Sequence, residues 1–137
     1  MFTALPLLII PILLYNLIAI AQIVSGNPDQ AHAGLVAELF SVPMPSGGQW
    51  SVAGGDLLIL LGLFMLFFEL IKSTSSEHVA IVNHSLSMVL FIVALVEFLL
   101  LPGFATSTFF LLSMMVLLDV VAGFTVTIIS ARRDFGN

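Results

Sequence analysis

The chain has 137 residues, of which 60% are hydrophobic and 8% charged, with three Lys+Arg, eight Asp+Glu and a formal net charge of −5. A soluble domain covers its surface with roughly a quarter charged residues, disorder needs low hydrophobicity, and nucleic acid repels an acidic chain, so all three classes are excluded. There is no cysteine, which excludes disulfides, thiolate metal sites and Cys nucleophiles.

Crossing roughly 30 Å of hydrocarbon takes a helix of about 20 largely apolar residues. The first such segment runs from about Leu5 to Val24, with Pro6 and Pro11 inside it. Ala19-Ile20-Ala21 and Ala31-His32-Ala33 have the small-residue pattern of a signal-peptide cleavage site, but no Lys or Arg precedes the apolar run, so the segment is expected to be retained as a span.

The outer connection from Ser25 to Ala53 is the main room for structure outside the membrane. Asn27-Pro28-Asp29 combines an N-cap residue, a first-turn Pro and an acid. Leu35, Val36, Leu39 and Phe40 then recur at helical spacing, which predicts a short amphipathic helix lying on the membrane face. It is expected to end near Ser41, because Pro43 and Pro45 cannot continue it. Ser46-Gly47-Gly48 reads as a turn, and Trp50 as an interfacial anchor.

The second span runs from Gly54 to Ile71, the third from Val79 to Leu101 before Pro102-Gly103, and the fourth from Thr106 to Ala131 against Arg132-Arg133. Each must be a helix, because an unpaired peptide group in lipid costs several kcal/mol. Runs such as Leu57-Leu58-Ile59-Leu60-Leu61 lack the alternation of a barrel strand. The predicted fold is therefore all-α: one domain, residues 1–137, with four transmembrane helices in a bundle and a short amphipathic helix in the first outer loop. Lys72, Arg132 and Arg133 all fall on the side of the amino terminus, so both termini are expected to be cytoplasmic, with these cations as interfacial anchors.

Ionisable groups within a span are costly and mark functional candidates. At about 1.5 Å per residue from the cytoplasmic side, Glu69 is roughly 5 Å deep, His84 roughly 9 Å, Asn16 and Asp119 roughly 18–20 Å, and Glu97 roughly 28 Å. Asp119 carries the strongest signal. It sits mid-span in Leu117-Leu118-Asp119-Val120-Val121 with no cation within helical reach, and Asn16 or Tyr15 is the expected donor to it. Glu69 is expected to snorkel towards the headgroups as an ion pair with Lys72. His84 is expected to be hydrogen-bonded near Asn83, Ser85 and Ser87, with haem or pigment ligation as the lesser reading; no metal or other cofactor is expected. Small and polar residues at helical steps predict inward or interface faces, with Gly55 and Gly62 on span two, Ser87 and Ala94 on span three, and Met115, Asp119, Gly123 and Thr127 on span four.

Glu69-Leu70-Ile71-Lys72-Ser73-Thr74, Asn83-His84-Ser85-Leu86-Ser87-Met88 and Asp119-Val120-Val121-Ala122-Gly123-Phe124 make the stretch from Phe67 to Asp134, about half the chain, similar to uncharacterised small four-span inner-membrane proteins of proteobacteria. The resemblance implies a bacterial inner-membrane location and no particular activity. Ala105-Thr106-Ser107-Thr108-Phe109-Phe110 faintly resembles a segment of the dual-topology fluoride channels, but the Arg and Asn signals of their early spans are missing and the charge bias here is consistent.

No glycine-rich phosphate cradle, His pair at ligand spacing or Ser-His-acid set is present, so a free-standing enzyme is not expected. The leading expectation is a non-enzymatic accessory subunit that works by helix–helix contacts in a larger inner-membrane complex. Its partners would be the lipid bilayer and other membrane subunits or copies of itself, with no nucleic acid. The alternative is a small proton- or cation-coupled transporter or channel, homo-oligomeric, with Asp119 at its site.

Overall fold

The computed structural model describes residues 5–27, 29–73 and 77–136. In chain order the elements are α1 (Ile9–Val24), α2 (Asp29–Val36), β1 (Glu38–Pro43), β2 (Gln49–Ala53), α3 (Gly54–Lys72), α4 (Glu77–Leu100) and α5 (Ser107–Phe135). Pro28, read from sequence as a first-turn residue, lies outside the described residues.

Among the described residues three helices are long and apolar enough to cross a membrane, over Gly54–Lys72, Ile81–Leu100 and Ser107–Arg133. Of the four expected spans, the one over Leu5–Val24 is not confirmed: among the described residues it forms a shorter apolar helix. α1 has 16 residues, about 24 Å of helix, which falls short of the hydrocarbon thickness. The apolar run does begin at Leu5, but its first residues are turns, with Ile9 N–H donating to the Pro6 carbonyl and Ile10 N–H to that of Leu7. Pro6 and Pro11 have no N–H to contribute to a ladder, so regular helix starts late. α1 buries Ile12, Tyr15 and Ala19 along one stripe, continued by its N-cap Leu8, and exposes Leu13, Leu17 and Ile20 on the other.

The predicted amphipathic helix is present but stops at Val36 rather than near Ser41, and Leu39 and Phe40 belong to a strand. β1 pairs antiparallel with β2, matching Phe40 to Val52 and Val42 to Trp50. Met44 and Gly48 close the hairpin: Met44 N–H donates to Gly48 at 2.8 Å, and Gly47 N–H to Met44 at 2.9 Å. Pro45 supplies the fixed φ of a turn, and Gly47, at φ +85°, takes a conformation that a side chain would strain. The alternation Phe40, Val42, Trp50, Val52 puts apolar residues on one face of the ribbon, and this period of two outcompetes the helical spacing.

Of the three long helices, α5 has the most buried of the central apolar stretches. It packs on α4, α3 and α1. α3 and α5 run in the same direction and approach closely at two α3 glycines. A Cβ at Gly55 would lie 2.6 Å from Thr108 Oγ1, and one at Gly62 would lie 2.8 Å from both Leu112 Cδ2 and Met115 Sδ. The shared direction gathers Lys72, Arg132 and Arg133 at one end of the bundle. The α3 amino terminus is stabilised at the other end, where the Asp56 carboxylate accepts from Ala53 N–H at 2.9 Å.

Candidate functional site

The interior carries polar groups at three levels, each built by side chains from different helices. At the Lys72 end, Glu69 is wholly buried. Its Oε2 accepts from Leu7 N–H at 2.6 Å, and its Oε1 meets both the Asn83 amide and, at 3.2 Å, the Lys72 ammonium. Lys72 also donates to Asn83 Oδ1 at 2.9 Å and to the Leu5 carbonyl at 2.5 Å. The expected ion pair forms, but Glu69 does not snorkel outward. It turns inward to serve Leu7 N–H in the turn that leads into α1, where backbone N–H groups lack intrahelical acceptors. One carboxylate thus fastens α1, α3 and α4 together.

The second level lies between α4 and α5. Ser87 Oγ donates to Asp119 Oδ2 at 2.6 Å, and the Asp119 side chain is fully enclosed. Asp119 Oδ1 and both ring nitrogens of His84 are buried with no hydrogen-bond partner among the described residues. His84 packs against α5 at Gly123, one turn from Asp119, where a Cβ would overlap the imidazole. The expectation of a hydrogen-bonded His84 is thereby corrected, because its polar neighbours are engaged elsewhere. Asn83 serves Glu69 and Lys72, Ser85 Oγ donates to the Ile81 carbonyl at 2.9 Å, and Ser87 is taken by Asp119.

The third level is near the opposite end. Asn16 Nδ2 donates to Glu97 Oε2 and to the Ile12 carbonyl, each at 3.1 Å. The Tyr15 hydroxyl donates to the Gly103 carbonyl at 2.9 Å and lies 2.6 Å from Thr106 Oγ1, which caps α5 by accepting from Phe109 N–H at 3.2 Å. The Tyr15 ring packs on Phe104 and Phe109, with centroids 5.5 and 4.7 Å away. Neither Asn16 nor Tyr15 is the donor to Asp119. The depth count placed Asn16 beside Asp119 by assuming that all spans start at one height. α1 in fact starts late, and α5, at 29 residues, is about 43 Å long and overshoots a bilayer core. The Tyr15–Thr106–Gly103 lock had no place in the sequence reading; an N-capping Thr after Pro102-Gly103 was its one visible sign.

Of the predicted packing residues, Gly55, Gly62, Ser87, Ala94 and Gly123 are buried. Thr127 is exposed and returns its hydroxyl to the Gly123 carbonyl at 3.0 Å, so it does not line the seam. Trp50, Arg132 and Arg133 are exposed, whereas Lys72 is held in the Glu69 network. Among the described residues no three of His, Asp or Glu converge as metal ligands.

No protein-family model, curated protein or solved structure matches the chain. Any reading of function therefore rests on the polar interior itself.

Proposed function

We propose that this is a small integral membrane protein whose working part is the buried His84–Ser87–Asp119 cluster, which takes up and releases a proton or small cation within an assembly of membrane helices. The carrying observation is the set of enclosed atoms without partners among the described residues, Asp119 Oδ1 and both nitrogens of His84. Buried polar groups are as a rule paired, and each one left bare costs about 1–3 kcal/mol. A group kept only to fasten helices gains nothing from that cost, whereas a carboxyl and an imidazole one turn apart across α4 and α5 offer buried sites to a proton or a desolvated ion. Asn83, next to His84 in sequence, belongs to the Lys72–Glu69 network, so polar groups continue from the cluster to that end of the bundle.

A bacterial inner membrane with both termini cytoplasmic accords with this reading. All three cations sit at one end, and no Lys or Arg occurs before Lys72. The test is flux into liposomes by the purified chain, followed with a pH-sensitive dye and with cation-loaded vesicles. Flux by the wild type, its loss in Asp119→Asn and its retention in Thr127→Ala are the expected results. A folded but inert wild type would sink the reading.

The accessory-subunit reading has one observation in its favour, the Glu69 network, whose carboxylate oxygens are both satisfied, as a fastening requires. It predicts co-purification with other membrane proteins in mild detergent and tolerance of Asp119→Asn in cells.

A further inference from the structure

The hairpin and α3 enclose a recess of about 390 Å³ at the Gly54 end. Its roof is the apolar face of the ribbon, with Phe40, Trp50 and Val52. Its wall is Leu57, Leu60 and Leu63, a stripe at three-residue steps on the first three turns of α3, with Asp56 at its edge. These leucines are 42%, 49% and 50% exposed on a helix apolar enough to span a membrane, so the wall is part of a surface that a bilayer would cover. The roof cannot follow the wall into hydrocarbon. A two-stranded ribbon has two open edges, and unpaired N–H and C=O groups are not tolerated among acyl chains. Its other face is polar, with Ser41 bonded to Gln49 and Ser51 to Glu38. The ribbon therefore has a fixed height: edges and polar face among headgroups, apolar face turned to the acyl layer, and Trp50 at the level favoured by aromatic anchors.

From this geometry we infer that the recess is a lipid site: it holds the upper acyl chain of a zwitterionic phospholipid under the hairpin. The headgroup class follows from charge. Asp29, Glu38 and Asp56 lie at this end, while every Lys and Arg lies at the other, so an anionic headgroup meets repulsion and no cation. The site needs only the membrane placement of α3 and does not depend on the His84–Asp119 cluster.

Trp50 is the single tryptophan of the chain, so its fluorescence reads the recess without interference. The experiment reconstitutes the full chain in vesicles of phosphatidylcholine brominated either high or low on the acyl chain, and in parallel with brominated phosphatidylglycerol at the same mole fraction. Flotation with the vesicles checks insertion. The expected result is blue-shifted emission, quenched at least twofold more by high than by low bromines and more by the zwitterionic than by the anionic lipid. Phe40→Glu, outside the helical core, should shift emission to the red and reduce quenching while the protein still floats. Red emission without quenching in floated wild-type protein overturns the proposal. So does blue emission that no lipid quenches, which would mean that protein fills the recess, and so does stronger quenching by the anionic lipid.

Discussion

Ser87 gives its hydroxyl proton to one oxygen of Asp119 across the α4–α5 contact, at 2.6 Å, and the other oxygen of that carboxyl is enclosed with no partner among the described residues. Half of the group serves packing and half is left over. Asp119→Asn can still accept from Ser87 and should change unfolding stability by less than about 1 kcal/mol. Asp119→Leu removes the acceptor and should cost about 1 kcal/mol more, because the hydroxyl is left in an apolar contact. Denaturation in mixed detergent micelles measures both, and equal stability of the two variants would show that the Ser87 bond contributes nothing.

Gly123 and Gly62 both mark close helix contacts, but they differ in what a methyl group would meet. At Gly123 it meets the rigid imidazole of His84, and at Gly62 the flexible ends of Leu112 and Met115. Gly123→Ala should therefore destabilise by about 1–3 kcal/mol, the range for overpacking, and Gly62→Ala by less. Shrinking the ring in the double variant His84→Ala/Gly123→Ala should recover part of the loss. Additive losses in a double-mutant cycle would separate the two residues.

Glu69 serves three donors at once, so its removal leaves Leu7 N–H bare and takes the Glu69 carboxylate away from Lys72. Breaking a buried pair costs about 3–5 kcal/mol. Lys72 is 17% exposed and keeps Asn83 and Leu5 as acceptors, so Glu69→Ala should fall near the low end of that range. Glu69→Gln should cost less than Glu69→Ala. Proteolysis near Leu5 should rise in Glu69→Ala, because the turn into α1 loses its acceptor.

Tyr15→Phe keeps the ring contacts with Phe104 and Phe109 and loses the bonds to Gly103 and Thr106. The expected cost is on the order of 1 kcal/mol, against about 3–5 kcal/mol for Tyr15→Ala, which also opens a cavity. Hydrogen exchange at Phe109 should increase in Tyr15→Phe if the hydroxyl holds Thr106 in its capping position; unchanged exchange would confine the role of Tyr15 to packing.

The positions that face inward on α3, α4 and α5 were legible because lipid makes a simple demand. On an apolar helix, small and polar residues at steps of three and four must share the face that lipid does not touch, as Gly55, Gly62, Ser87, Ala94, Asp119 and Gly123 do. Thr127 escaped the rule because a threonine can satisfy its hydroxyl on the carbonyl four residues back and remain exposed. The hairpin was harder to read: Leu35, Val36, Leu39 and Phe40 fit a helix, while Phe40 and Val42 fit a strand equally well, and only pairing with Trp50 and Val52 breaks the tie.

Composition and periodicity alone established long helices apolar enough to cross a membrane and the residues that turn inward, since both follow from the solvent each residue can tolerate. Which inward groups meet was decided only when the helices were assembled. Asn16 reaches Glu97, Asp119 reaches Ser87 and Glu69 reaches Leu7 because the helices begin at different heights and have unequal lengths, and a partner within about 3 Å depends on those offsets. The nitrogens of His84, bare among the described residues, are the same fact seen from the other side, as Asn83, Ser85 and Ser87 were each claimed by another neighbour.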